Sequence, residues 1–164
     1  MSSLIVFFTA GGILALDRLT KHLALAALSP GVSVPVFKNI FHLTLVLNRG
    51  AAFGLLPDAT VFFVVVALTS VAAIGAAFWR PQLFFSVFGL RVTDARVRLA
   101  LALVLGGALS NLFDRLIYGY VIDFLDFRVW PVFNFADTAI TLAGLLVVVV
   151  LVQDMRRRDG SHTL

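Results

Sequence analysis

The sequence contains no cysteine, which excludes a disulfide framework, a thiolate metal site and a cysteine nucleophile, and leaves the redox compartment unread. Histidine is nearly as scarce. His22, His42 and His162 are scattered without the spacing a zinc site requires, and His22 and His42 read as interfacial residues. Charge is thin too: 13 % of the 164 residues are charged against 60 % hydrophobic, and mean hydropathy is +1.01. Those values lie outside the range of soluble globular domains and predict one integral membrane domain over residues 1–164. The net charge of +4 comes from Lys and Arg dispersed between apolar runs with no basic face, so membrane topology explains it better than nucleic-acid binding. No internal repeat is visible.

Four runs are long enough to cross a hydrocarbon core of about 30 Å, which takes about 20 apolar residues: roughly 4–28, 60–79, 97–117 and 136–152. The first is not a secretory leader by pattern. No basic residue precedes it, Asp17, Arg18 and Lys21 interrupt its second half, and no convincing small-x-small site closes it, so it is expected to be retained. Arg80 and Pro81 stop the second span. Arg80, Arg91, Arg96 and Arg98 in the following loop, and Arg156, Arg157 and Arg158 after the fourth span, predict both termini and the middle loop on the cytoplasmic side. The loops 29–59 and 118–135 are then outside. In the first of them, Val32, Val34 and Val36, then Phe41, Leu43, Leu45 and Leu47, alternate with smaller or polar residues. That period of two predicts short strands joined by a turn at Lys38 and Asn39, a sheet lying at the surface because an open sheet cannot cross lipid. The fold class is therefore an all-α membrane protein of four transmembrane helices with a small β-sheet in the first outer loop.

Four of the nine acidic residues, Asp114, Asp123, Asp126 and Asp137, lie within residues 106–140. A carboxylate at the bilayer centre costs roughly 2.5 to 3.5 kcal/mol even on a lenient scale, so such groups face a protein interior or water and mark function. The predicted topology gathers Asp17, Lys21, Asn111, Asp114, Arg115, Asp123 and Asp137 at one depth, just under the outer surface. Asp17 and Lys21 share a helix face one turn apart, as do Asn111, Asp114, Arg115 and Tyr118. Asp123 and Asp137 have apolar neighbours and no dedicated cation. Two such carboxyls in one site share a proton, which makes an acid and a base from one residue type. Ser29, Ser33 and Ser110 have no adjacent His to act as base, so an aspartyl pair activating water is the hydrolytic chemistry this inventory supports. Two alternatives stand beside it. Asp123 and Asp126 read equally as surface-loop charges with Asp137 capping the last span, and intramembrane carboxylates also serve small proton-coupled exporters, although transporter sites usually lie at the midplane.

The blocks Asp17 to Lys21, Asn48 to Gly54, Gly106 to Arg115, Gly119 to Phe124 and Phe133 to Ile140 together resemble, in order and over nearly the whole chain, the motif set of the bacterial lipoprotein signal peptidases, or signal peptidase II. The resemblance implies an aspartic endopeptidase of the bacterial inner membrane with four helices and an outer sheet. Such an enzyme removes the signal peptide from diacylglyceryl-modified prolipoproteins, N-terminal to the lipidated cysteine. It implies Asp123 and Asp137 as the catalytic pair, with Asp17, Lys21, Asn48, Gly50, Asn111, Asp114, Arg115, Asn134 and Ala136 as the polar, substrate-positioning shell. It further implies a monomer without metal or other cofactor, in contact with membrane lipid, whose dyad binds cyclic peptides such as globomycin. Asp126 falls outside the matched blocks and is expected to face solvent. Ser110 departs from the pattern, which usually has Gly before the Asn.

Overall fold

The computed structural model describes residues 3–50 and 59–161; Ala51, Ala52, Phe53, Gly54 and His162 lie outside these. Helix α4 (Ala95–Tyr118) is the element the others pack on. Asp94 caps its start, accepting the Arg96 amide at 2.8 Å and pairing with the Arg96 guanidinium at 2.6 Å. That side-chain hydrogen bond holds the Asp94 carboxyl down at about 2. The helix ends at Gly119, whose φ of 75° supplies the left-handed stop. Along its length α4 is thin where the sequence places glycines. A Cβ on Gly106 would lie 2.6 Å from the Ala10 carbonyl oxygen, and one on Gly107 would lie 2.6 Å from that of Ala136. Helices α1 (Ser3–Ala27) and α5 (Phe135–Ser161) therefore approach α4 with backbones nearly touching, and α2 (Thr60–Trp79) packs on it as well. Close approach through small residues is how helices associate where lipid is as apolar as leucine.

Among the described residues three helices are long and apolar enough to cross a membrane: Thr60–Trp79, Ala95–Tyr118 and Phe135–Arg157. Helix α1 covers the predicted first span but carries Asp17, Arg18 and Lys21 in its second half, so the count of four spans does not follow from length and composition. Two elements go beyond what the sequence predicts. The second span does end at Trp79 before Arg80, as expected, but Pro81 then opens a short helix that was not foreseen, α3 (Pro81–Phe88); proline suits a first turn, where its missing N–H has no partner to lose. The sheet also has three strands. β1 (Ser33–Phe37) and β2 (Phe41–Asn48) form the expected antiparallel hairpin, turning at Asn39 with φ 63°. β3 (Val121–Asp126) then joins β2 from the second loop, in the order β1-β2-β3. Its six residues are buried or nearly so on both faces, so Val121, Ile122, Phe124 and Leu125 leave no alternation to read.

Asp126, expected to face solvent, is the residue whose place that strand changes most. It is 4 % exposed, not solvated, and accepts Thr44 Oγ1 at 2.7 Å, the Arg128 amide at 2.8 Å and Arg128 Nη1 at 2.9 Å. Burial alone would raise its carboxyl, but the bonds from Thr44 and Arg128 outweigh that and hold it below the usual carboxylate range. The hairpin also places Ser33 Oγ 2.8 Å from His42 Nδ1, so Ser33 does have an adjacent histidine. Among the described residues nothing orients that histidine as a base: its buried Nε2 has no hydrogen-bond partner there, whereas a serine triad needs an acid at that nitrogen.

Candidate active site

Strand β3 and the N-terminus of α5 bring Asp123 and Asp137 to one cleft of about 430 Å³. Asn134 does the joining. It is the residue before α5, and its side-chain oxygen accepts the Asp137 amide at 2.9 Å while Asp137 Oδ2 accepts the Asn134 amide at 3.3 Å. This reciprocal pair is a capping box with Asn and Asp in place of the commoner Ser and Glu. The Asn134 Nδ2 meanwhile donates to Asp123 Oδ1 at 2.7 Å. The helix-cap role foreseen for Asp137 is thus real, and it fixes the same carboxylate at the cleft. The second oxygen of Asp123 accepts Asn48 Nδ2 at 2.9 Å, and the Gly50 amide holds Asn48 Oδ1 at 2.9 Å. Asp137 Oδ1 accepts Asn111 Nδ2 at 2.8 Å. Asp123, 1 % exposed, has its carboxyl pushed up to about 7, first by burial and then by the neighbouring Asp137 charge.

Behind this pair lies a buried charge cluster built by α1 and α4. Lys21 Nζ, 1 % exposed, reaches Asp17 Oδ2 at 2.7 Å, Asp114 Oδ2 at 2.7 Å and Asn111 Oδ1 at 2.8 Å, so all three ammonium protons have acceptors. Arg18, which sequence reasoning left out of the site, reaches Asp114 Oδ1 at 2.6 Å and stacks over Phe113. Two cations thus balance two carboxylates. Asp17 also accepts the Ala136 amide at 2.9 Å and Ser110 Oγ at 2.6 Å, so the unusual serine bonds into the α1–α4 contact and does not merely crowd it. Asp114 accepts the Ile122 amide at 3.2 Å. The cluster therefore grips the first turn of α5 through Asp17 and the second residue of β3 through Asp114, the two segments that carry the aspartates.

The eleven residues singled out from the sequence divide by place. Asn48, Gly50, Asn111, Arg115, Asp123 and Asp137 border the cleft. Asp17, Lys21, Asp114, Asn134 and Ala136 are buried behind it and act on it through the bonds above. Arg115 lies 3.4 Å from the Asn111 carbonyl oxygen and 4.8 Å over the Phe63 ring, with no ion pair among the described residues. Below the polar rim the cleft continues between α2, α4 and α5, lined by Phe63, Val66, Val104, Ala108 and Ile140.

Buried carboxylates at the polar head of an apolar cleft, among helices of membrane length, define a membrane-embedded enzyme, and known structures agree. A bacterial membrane enzyme solved by the in meso method at 2.3 Å shares the fold with a TM-score of 0.80 and 26 % identity, over 92 % of this chain and 89 % of that one. A second bacterial membrane enzyme, solved by the same method at 1.9 Å, gives 0.77 over 92 % and 94 %. Residues 9–153 match the family model described as signal peptidase (SPase) II, and the chain belongs to that family of peptidases. The lipoprotein signal peptidase of Desulfitobacterium hafniense is 43 % identical over 94 % of this chain and 98 % of its own. That of Moorella thermoacetica is 45 % identical over 82 % and 84 %. The exporter alternative finds no support in these relatives.

Proposed function

We propose that the protein is an aspartic endopeptidase that removes the signal peptide from diacylglyceryl-modified prolipoproteins on the N-terminal side of the lipidated cysteine, with Asp123 and Asp137 as its catalytic pair. The observation that carries this reading is the Asn134 bridge, which binds Asp123 with one end of its amide and Asp137 with the other at the head of an apolar cleft. The two carboxyls share one proton, the Asp123 carboxyl being raised to about 7 by burial and by Asp137, and Asp123 in its acid form gives that proton to the scissile carbonyl. Asp137 takes a proton from the attacking water. The tetrahedral intermediate then collapses as the leaving amine is protonated and the C–N bond breaks, restoring one proton to the pair. Asn48, Asn111 and Arg115 at the rim are placed to hold peptide and lipid carbonyls, and the apolar floor suits a hydrophobic signal segment entering from the bilayer. We expect a monomer of the bacterial inner membrane, inhibited by cyclic peptides such as globomycin.

The direct test offers purified protein a precursor with and without its diacylglyceryl group and follows cleavage on a gel. Only the lipidated form should be cut, in EDTA as in its absence. Equal cutting of both forms would refute the substrate, and zinc-restorable loss in EDTA would refute the chemistry.

The pH dependence follows from the proton on Asp123. With its carboxyl raised to about 7 by burial and by Asp137, the acid form is present below that value and is lost above it. Turnover should therefore fall about tenfold per pH unit on the alkaline side, where a single required proton is being removed. A rate that stays level from pH 7 to pH 9 would show that Asp123 is not the acid.

The basic segments predict both termini in the cytoplasm and the dyad near the outer surface. Reporter fusions after Arg91 and at the C-terminus should read cytoplasmic and one near Val36 should read external; the reverse pattern would turn the site to the wrong side.

A further inference from the structure

We infer that a second site, at the opposite end of α4 from the aspartates, holds the phosphate of an anionic phospholipid headgroup. A concavity of about 290 Å³ is walled by Phe85, Arg91, Asp94, Val97, Asp154 and Arg157, where α3, the turn 89–94, the start of α4 and the end of α5 meet. Val97 and Asp114 are separated by seventeen residues of one helix, about 25 Å at 1.5 Å per residue, so this site belongs to the other face of the membrane. The inference does not depend on the peptidase mechanism.

Three observations point to an anion. The Arg91 guanidinium lies 5.1 Å over the Phe85 ring, which holds it at the wall, and among the described residues neither Arg91 nor Arg157 is in an ion pair. Asp94 offers them little, because Arg96 takes its carboxylate at 2.6 Å and the α4 cap takes the rest. Asp154 is the one other acid on the wall, and two arginines outweigh it. Guanidinium forks match phosphate oxygens in pairs, so two of them around one concavity favour a phosphate ester over a halide or a lone carboxylate.

A lipid source is favoured over a soluble one by what surrounds the pocket. Trp79 is 81 % exposed, and Leu83, Val87 and Phe88 on α3 are exposed as well, next to Arg80. Leu83 and Val87 are one turn apart and share a face, whereas Phe84 on the other side packs into the Leu90, Val97 and Val150 core. An exposed tryptophan at a span end beside a short helix with an apolar outer face marks the membrane–water interface. Acyl chains can lie along that face while the headgroup reaches the arginines.

Native mass spectrometry of the full-length protein tests this, with phosphatidylglycerol and phosphatidylcholine of identical acyl chains competing for retention. Wild type should keep phosphatidylglycerol preferentially. A juxtamembrane arginine contributes about fivefold in anionic-lipid binding, so Arg91→Gln and Arg157→Gln should each lose about that much and the double variant about 25-fold. Asp154→Asn should retain more phosphatidylglycerol than wild type, a gain that a merely damaged fold cannot produce. Arg80→Gln, outside the wall, should lose less than either wall arginine. Equal retention of the two lipids, or wild-type retention by the double variant, would overturn the site. Displacement of the lipid by inorganic phosphate at equal concentration would overturn the lipid as its ligand.

Discussion

Asp123→Asn and Asp137→Asn are each expected to abolish cleavage of a lipidated precursor, leaving uncut precursor to accumulate while still bound. A positioned acid or base typically contributes about 10² to 10⁴-fold, and two groups that exchange one proton fail together, so the double variant should be hardly worse than either single one. Volume is conserved in both changes, and each places a neutral amide where a carboxylate was costly to bury. Above pH 7 the Asp123→Asn protein should melt higher than wild type. A carboxyl raised to about 7 in the folded protein binds more protons there than in the unfolded chain. The Asp123 contribution to wild-type stability therefore falls as pH rises from about 4 to 7, and the amide removes that loss. Asp126→Asn gives the contrasting result. Its carboxylate ties β3 to Thr44 and Arg128, so the substitution should cost about 1–3 kcal/mol of stability while the folded fraction cleaves normally. This contribution is present at neutral pH and is lost as pH falls, because the folded carboxyl lies below its usual range. An Asp123→Asn protein that cleaves above a tenth of the wild-type rate, checked in initial-rate assays, would remove it from the pair. Asp114 could not replace it, being held by Arg18 and Lys21.

Periodicity and charge carried most of the helices and the first hairpin because those elements present one consistent face. Strand β3 escaped because both of its faces are covered, and covered strands look like any apolar run. Helix α3 escaped because Pro81 reads as a stop unless its place in the first turn is known. The aspartates were legible as expensive groups in apolar surroundings. Their connection was not, since it runs through Asn134, whose two amide ends serve residues eleven positions back and three positions on. Spacing along a helix could pair Asp17 with Lys21, which the 2.7 Å contact bears out. It could not show Arg18 turning to Asp114 on another helix, nor Ser110 bonding to Asp17. The Gly106–Gly107 pair was the clearest sequence signal of tertiary structure, since each glycine meets the backbone of a different neighbour.

Lys21→Met should be the most destabilising single change in the molecule. The ammonium is the common partner of Asp17, Asp114 and Asn111, and its removal leaves two buried carboxylates sharing only Arg18. Breaking a buried pair on one side costs about 3–5 kcal/mol, mostly the penalty of the charge left behind. Methionine fills a similar volume, so the loss is electrostatic and not a cavity effect. One measurement separates this from loss of a substrate contact. The double variant Lys21→Met with Asp114→Asn should be more stable than Lys21→Met alone, since one stranded charge has gone. Activity should fall with the single variant even in its folded fraction, because Asn111, whose amide holds Asp137, loses the shorter of the two bonds to its oxygen and keeps only that from Asn134 Nδ2 at 3.2 Å. A Lys21→Met protein that melts like wild type and shows only a raised KM would place Lys21 against the substrate instead, and the charge cluster would then have no part in holding α5 and β3 together.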